Sequence, residues 1–205
     1  MRMCAVSAMV LAVGGVAVAD LSAQPDRFPA LTAKQLQAIM LKLSADGAGT
    51  FLKPLNDAMR EFEINTPKRQ AAFLAQVAHE SGDLRYMEEP IATADYEGRA
   101  DVGNTQPGDG KRYKPRGPLQ LTGRANYRAA GRALRLDLEN QPELVLKPEI
   151  GCRVAAWYWK AQGLNELADA GDFRQITQRV SSGRNGYEQR LKTYRRAKEV
   201  LGIRS

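Results

Sequence analysis

The chain has 205 residues, 43% of them hydrophobic and 26% charged, enough to bury a core without help from disulfides or metals. Two cysteines, Cys4 and Cys152, exclude a disulfide framework and a CxxC metal site, and the single histidine, His79, excludes an HExxH zinc site. The net charge of +7 favours an anionic partner, whether nucleic acid, acidic lipid or a cell-wall polymer.

Residues 1–19 read MRMCAVSAMVLAVGGVAVA. One arginine precedes an uncharged run that ends on Ala17-Val18-Ala19, the parts of a secretory signal. The run sits at the lower edge of the ~17–25 residues that span a bilayer, and it is rich in alanine and glycine. Two readings follow: a cleaved signal peptide, or a signal-arrest-release segment that gives transient membrane association before it slips out. Either takes the protein out of the cytoplasm, to the periplasm, the inner membrane or the medium. Export argues against a nucleic-acid partner and leaves peptidoglycan as the nearest anionic polymer.

Residues 20–30 hold Pro25 and Pro29 and read as a linker. From there the apolar period is helical almost throughout. Thr32 can cap a helix with the stripe Leu36, Ile39, Met40 and Leu43; Gly47 and Gly49 predict a break before a second helix marked by Leu55, Met59 and Phe62. Thr66-Pro67 is a strong start signal for a third, whose face runs Phe73, Val77 and Glu80 until Gly82 ends it. Residues 92–116 have four glycines and two prolines and predict a loop with room for one short β-hairpin.

Helical period returns over 126–136 and over 149–162, where Val154, Trp157 and Ala161 share a face. Trp157, Tyr158 and Trp159 fit core packing better than a sugar-stacking platform. Asp172 caps a helix through Val180, and Gln189–Leu201 forms the last, a cationic amphipathic helix with Leu191, Tyr194 and Leu201 on one face. The prediction is a mainly α single domain over 31–205.

The stretch 79–82, HESG, places Glu80 where an apolar stripe enters the core, with Glu88 and Glu89 just downstream. Glu80 can be an ion-paired structural group. It can also be a general acid whose pKa is raised by partial burial, while a carboxylate in a more solvated loop stays ionised. Such a pair is the acid and base of glycoside hydrolysis. An unbroken helix would hold Glu80 and Glu89 ~13.5 Å apart, whereas inverting glycosidases need ~6.5–9.5 Å and retaining ones ~5–5.5 Å. The chain must therefore turn after Glu80, and Gly82 permits it. A nucleophile pair of Cys152 with His79 is arithmetically available, but the apolar neighbours of Cys152 read as those of a buried hydrophobe.

Three motifs in order, "AHESG" with Glu89 beyond it, "RGPLQLTGRANY" at 116–127 and "NGYEQR" at 185–190, resemble glycoside hydrolase family 19. The similarity spans 31–201 and is nearest to the phage endolysin branch, with the chitinases more distant. The resemblance implies a lysozyme-like helical fold and an inverting muramidase that cleaves peptidoglycan glycan strands between N-acetylmuramic acid and N-acetylglucosamine for host lysis. No metal and no cofactor are expected, and the chain is read as a monomer. Glu80 matches the general acid and Glu89 the general base, with Glu88 as competitor. Thr122 matches a hydroxyl that holds the attacking water. Gln120 and Asn126 match substrate-contacting amides, Arg190 an arginine of the substrate site that supports the carboxylates, and His79 a neighbour of the acid. Three positions depart from the family pattern: Pro115 for a glycine, Ala125 before Asn126, and Ser181 where relatives carry a substrate-touching asparagine. Two alternatives stay open, an exported chitinase and a non-catalytic cationic envelope-binding protein. The short connection over 90–112 argues against the chitinase.

Overall fold

Local capping chemistry starts the first three helices. Thr32 accepts the Gln35 N–H while the Gln35 side chain takes the Thr32 N–H, a reciprocal box that opens α1 (Ala33–Ile39). Ser44 accepts the Gly47 N–H at 3.0 Å and opens α2 (Ala45–Glu61). Thr66 caps α3 (Pro67–Glu80), with Pro67 at its first position as the sequence predicts. The break expected at Gly47 and Gly49 is not there. Both glycines lie at the start of α2, where the Ser44 cap satisfies an orphaned N–H and offsets glycine's poor helix propensity.

The computed structural model describes residues 28–88, 96–181 and 186–203. The export segment 1–19 with Cys4, most of the linker, Glu89, and residues 182–185, which include Asn185 of the third motif, lie outside them. The remaining helices are α4 (Asp109–Arg112), α5 (Arg124–Leu134), α6 (Pro148–Ala161), α7 (Leu164–Asp169), α8 (Phe173–Ser181) and α9 (Tyr187–Val200), with 3-10 turns at Ala100–Val102 and Pro142–Leu146. Asp172 accepts the Gln175 N–H at 2.9 Å at the start of α8, as predicted. In place of a hairpin, the described residues show two isolated antiparallel bridges, Glu88 with Arg116 and Arg116 with Leu121. No helix among the described residues is long and apolar enough to cross a membrane.

Two apolar clusters divide the molecule. The larger gathers α1, α2, α3, α7, α8 and α9; the smaller gathers Tyr113, Leu121, Tyr127, Leu138 and Val145 around α5. Helix α6 serves both. Cys152, Ala155, Ala156 and Trp159 enter the larger cluster, while Val154, with Ile150 and Trp157 against it, enters the smaller. The expected single face of Val154, Trp157 and Ala161 is therefore corrected: Ala161 is exposed and Trp159 is the fully buried ring. A helix packed on two sides buries two stripes, and one period cannot describe both. Trp159 meets Phe73 edge-on at 5.4 Å and donates its indole N–H to Asn165 at 2.9 Å.

Helix α3 is central, buried at every residue from Gln70 to Ala78. Glu80 is where it emerges. Helix α9 lies along α3, with Leu191, Tyr194 and Leu201 partly buried on the larger cluster. The apolar face of that cationic helix thus belongs to the domain's own packing, and Lys192 and Arg195 face solvent.

Candidate active site

Past Glu80 the chain reverses through three successive left-handed residues, Gly82, Asp83 and Leu84, with φ of +57, +65 and +60. The turn demanded by the carboxylate spacing is there, but it runs two residues beyond the glycine. Left-handed backbone costs a non-glycine residue roughly 1–2 kcal/mol, so tertiary contacts must hold it. Ser81 Oγ donates to the Val77 carbonyl and accepts the Leu84 N–H at 2.8 Å. Leu84 is buried, and the Asp83 carboxylate accepts the Lys42 N–H at 3.0 Å from across the molecule. At Gly82 a Cβ would stand 2.7 Å from the exposed Tyr86 ring, which would have to move aside, and the left-handed backbone there favours glycine.

This reversal brings Glu88 to the cleft that Glu80 enters. The cleft, of about 810 Å³, runs between the two apolar clusters. Glu80 and Arg190 reach it from α3 and α9, Gln120 and Thr122 from the segment that leads into α5, Asn126 from the first turn of α5, and Tyr158 from the shared helix α6. The Tyr158 hydroxyl donates to the Arg179 carbonyl, and burial together with the Glu80 charge pushes its pKa up. The three aromatic residues of α6 therefore divide: Trp159 is core, Trp157 packs on the smaller cluster, and Tyr158 lines the cleft.

The nearest partner of Glu80 is a cation. Arg190 Nη2 donates to Glu80 Oε1 at 2.5 Å, with the arginine side chain 3% and the glutamate side chain 20% exposed. The apolar stripe predicts a carboxyl desolvated against the core; the structure gives it a buried guanidinium instead. Arg190, which the resemblance gives as an arginine of the substrate site that supports the carboxylates, pairs with Glu80 and lines the same cleft.

Glu88 is held by two cations that the sequence reading missed, Arg116 at 2.8 Å and Lys114 at 3.1 Å. Burial pushes the Glu88 pKa up, but its hydrogen bonds to Lys114 and Arg116 and their charges outweigh that, and the carboxyl sits below its ordinary value. Arg116 is itself fixed by the Arg112 carbonyl and the Tyr127 hydroxyl. The sequence signal was the basic pair flanking Pro115, where the second motif begins.

Gln120, Thr122 and Asn126 line the cleft together, but their donors face backbone. Gln120, at φ +53, donates to the Gly117 carbonyl at 2.8 Å; the Thr122 hydroxyl donates to the Gln120 carbonyl at 2.8 Å; and the Asn126 amide donates to the Thr122 carbonyl at 2.7 Å. These bonds fix the segment's shape and leave each side chain an acceptor oxygen for a sugar hydroxyl or a water. Ser181 lines the same cleft, its hydroxyl donating to the Thr177 carbonyl. His79 packs on Gly186, and burial and then the Arg190 charge push its pKa down, against the pull of Glu80. Cys152 is buried in α6, so it has no access to the cleft as a nucleophile.

Comparison with known proteins points one way. The family model described as chitinase class I matches residues 58–171, more than half the chain. A Haemophilus influenzae protein described as glycosyl hydrolase family 19 domain-containing is 30% identical over 158 residues, 62% of this chain and 77% of its own length. The Arabidopsis thaliana endochitinase At2g43610 is 39% identical over 129 residues, but this chain spans only 44% of it. Among solved structures, a bacterial family 19 chitinase superposes with a TM-score of 0.72 at 26% identity, covering 85% of this chain and 96% of that one. Chitinase C from Streptomyces griseus gives a TM-score of 0.71 at 25% identity, covering 88% and 96%.

Proposed function

The chain belongs to glycoside hydrolase family 19, and from that premise we propose that it is an endolysin that hydrolyses the β-1,4 bond between N-acetylmuramic acid and N-acetylglucosamine in peptidoglycan. The observation that carries the reading is Glu80, delivered by the buried helix α3 to an open cleft and held there by Arg190. In this mechanism Glu80 gives its proton to the glycosidic oxygen. Glu89 activates water on the opposite face of the sugar, the Thr122 hydroxyl holds that water, and the anomeric configuration inverts. Glu88 keeps the loop in place through Lys114 and Arg116. Gln120 and Asn126 accept hydrogen bonds from sugar hydroxyls. The net charge of +7 supports a carboxylate-bearing glycan over a neutral one, and segment 1–19 would carry the enzyme to the periplasm.

A second reading, an exported chitinase, is supported by the names of the relatives, among them an Arabidopsis endochitinase and two bacterial chitinases. Parallel digestion of purified peptidoglycan and of chitin oligomers separates the two, with new reducing ends identified by borohydride reduction and mass spectrometry. Muramitol ends on peptidoglycan, absent with Glu80→Gln, are the expected result. Cleavage of chitin alone would give the chitinase. Lysis that persists in the Glu80→Gln variant would mean a non-catalytic envelope-binding protein.

A further inference from the structure

A guanidinium carries donors only, and that fixes a buried relay behind the candidate acid. Arg190 Nη1 lies 2.6 Å from Gln76 Oε1, so the oxygen end of the Gln76 amide must face the arginine. Its nitrogen end then faces Thr177 Oγ1 at 3.0 Å. The Thr177 hydroxyl must accept that bond, and its own proton goes to the Phe173 carbonyl at 3.0 Å, one turn back in α8. The direction of every hydrogen bond from α8 through α3 to α9 is thereby determined. The relay ends on Arg190 Nη2, which donates to Glu80 at 2.5 Å.

Gln76 and Thr177 are wholly buried and Arg190 nearly so, so none of them can trade its partner for bulk water. We propose that Gln76 and Thr177 are positioning residues for the reaction: they lock the rotation of the Arg190 guanidinium so that one arm stays aimed at Glu80. The proposal rests on the reading of Glu80 as the acid. Neither residue lines the cleft, so neither touches substrate, and both act through Arg190. Were the Thr177 hydroxyl removed, the Gln76 amide would lose what holds its nitrogen end. The planar fork of Arg190 would then hold its bond to Gln76 less firmly, and with it the aim of the arm that reaches Glu80.

The test uses the full chain with its arginines labelled with nitrogen-15. In the parent, the guanidinium of Arg190 should rotate slowly and exchange slowly with water. Thr177→Val should speed both, and Thr177→Ser, which keeps the hydroxyl, should slow them again. On the glycan that the parent cleaves, Thr177→Val and Gln76→Met should each lower kcat about tenfold with KM within about twofold, since a reacting group is mis-aimed while the cleft is intact. Thr177→Ser should recover most of that loss. Fast Arg190 rotation in the parent overturns the proposal without any variant having to fold, as does Thr177→Val with parental kcat and slow rotation. Activity retained by Glu80→Gln would overturn the catalytic reading and the proposal with it, whereas fast rotation alongside an inactive Glu80→Gln variant overturns the proposal alone.

Discussion

Arg190 and Glu80 stand 110 residues apart in the chain and 2.5 Å apart in the fold. The arginine is buried on α9 and also holds Gln76, so each substitution at this pair has two consequences. Glu80→Gln removes the proton donor but leaves an acceptor oxygen for Arg190. The protein should fold, and kcat should drop by about 10²–10⁴. Arg190→Ala leaves Glu80 and Gln76 without their partner and should cost about 3–5 kcal/mol of stability, as broken buried pairs do. Arg190→Lys should lose less stability but still lose activity, because one ammonium cannot reproduce the two-armed contact. Thermal unfolding beside initial rates reads both effects. An active, stable Arg190→Ala variant would contradict the assignment.

The acid side of the stability profile should be shaped most by Glu139, held further below its ordinary value than any other described carboxyl. Arg128 grips Glu139 with two donors at 2.8 and 2.6 Å and Arg124 adds a third at 3.2 Å, and together they hold Glu139 down to about 2 against the pull of burial. Glu88 and Asp109 are held below their ordinary values as well. A carboxyl whose folded pKa is depressed stabilises the fold fully above its unfolded pKa, and that stabilisation disappears as pH falls through the folded value. For Glu139 the window runs from the ordinary 4.5 down to about 2. Urea unfolding at pH 7, 4.5 and 2.5 should show the loss concentrated between the last two. Glu139→Gln should be about 1–2 kcal/mol less stable at pH 7, after allowance for solvent screening, with a flatter acid slope. Equal slopes in parent and variant would reject the assignment.

What the sequence made legible was local. Thr66-Pro67, Thr32 and Asp172 announce helix starts through bonds made within three residues, and all three act as caps in the structure. The break read at Gly47 and Gly49 failed because the Ser44 cap, equally local, outweighed glycine's propensity. The turn after Glu80 followed from carboxylate spacing, and Gly82 marked it. That Asp83 and Leu84 would share the left-handed conformation was not readable, since it depends on the Lys42 N–H and on burial. Similarly, the basic pair flanking Pro115 was only a weak signal among 30 Lys and Arg residues, and spacing alone could not single out Arg116 and Lys114 as the partners of Glu88. The family resemblance singled out Arg190 as a support of the carboxylates, but its buried bond to Gln76 came only with the fold.

Two glycines should respond to alanine in opposite directions. Gly186, at φ +70 just before α9, lies so close to His79 that a Cβ would run into the ring at Cε1 and stand 2.5 Å from Nε2. Gly186→Ala adds left-handed strain of about 1–2 kcal/mol to that clash. It should also displace the start of the helix that carries Arg190, so both the melting temperature and kcat should fall. His79→Ala in the same chain should relieve the steric part, and a double-mutant cycle should return a coupling of about 0.5–3 kcal/mol. Gly49, inside α2 with nothing within 4 Å of its Cβ position, should instead gain about 0.5–1 kcal/mol on becoming alanine. Additive effects of the Gly186 and His79 substitutions would mean that the two residues do not bear on each other in solution.

Cys152 should behave as a core side chain and not as a thiol. It is fully buried in α6 against the larger cluster, and burial pushes its pKa far above the ordinary thiol value. Iodoacetamide should therefore leave Cys152 unmodified in the native protein under conditions that alkylate it completely in urea, as peptide mapping would read. Cys152→Ser, which buries a hydroxyl among apolar neighbours, should cost about 1–3 kcal/mol, more than Cys152→Ala if the hydroxyl finds no acceptor. Any disulfide at Cys152 would require this side chain to leave the larger cluster in which it is buried. Oxidation should thus trap only molecules that have already lost activity. Rapid native labelling of Cys152, with activity intact, would instead show that α6 opens as part of the working cycle.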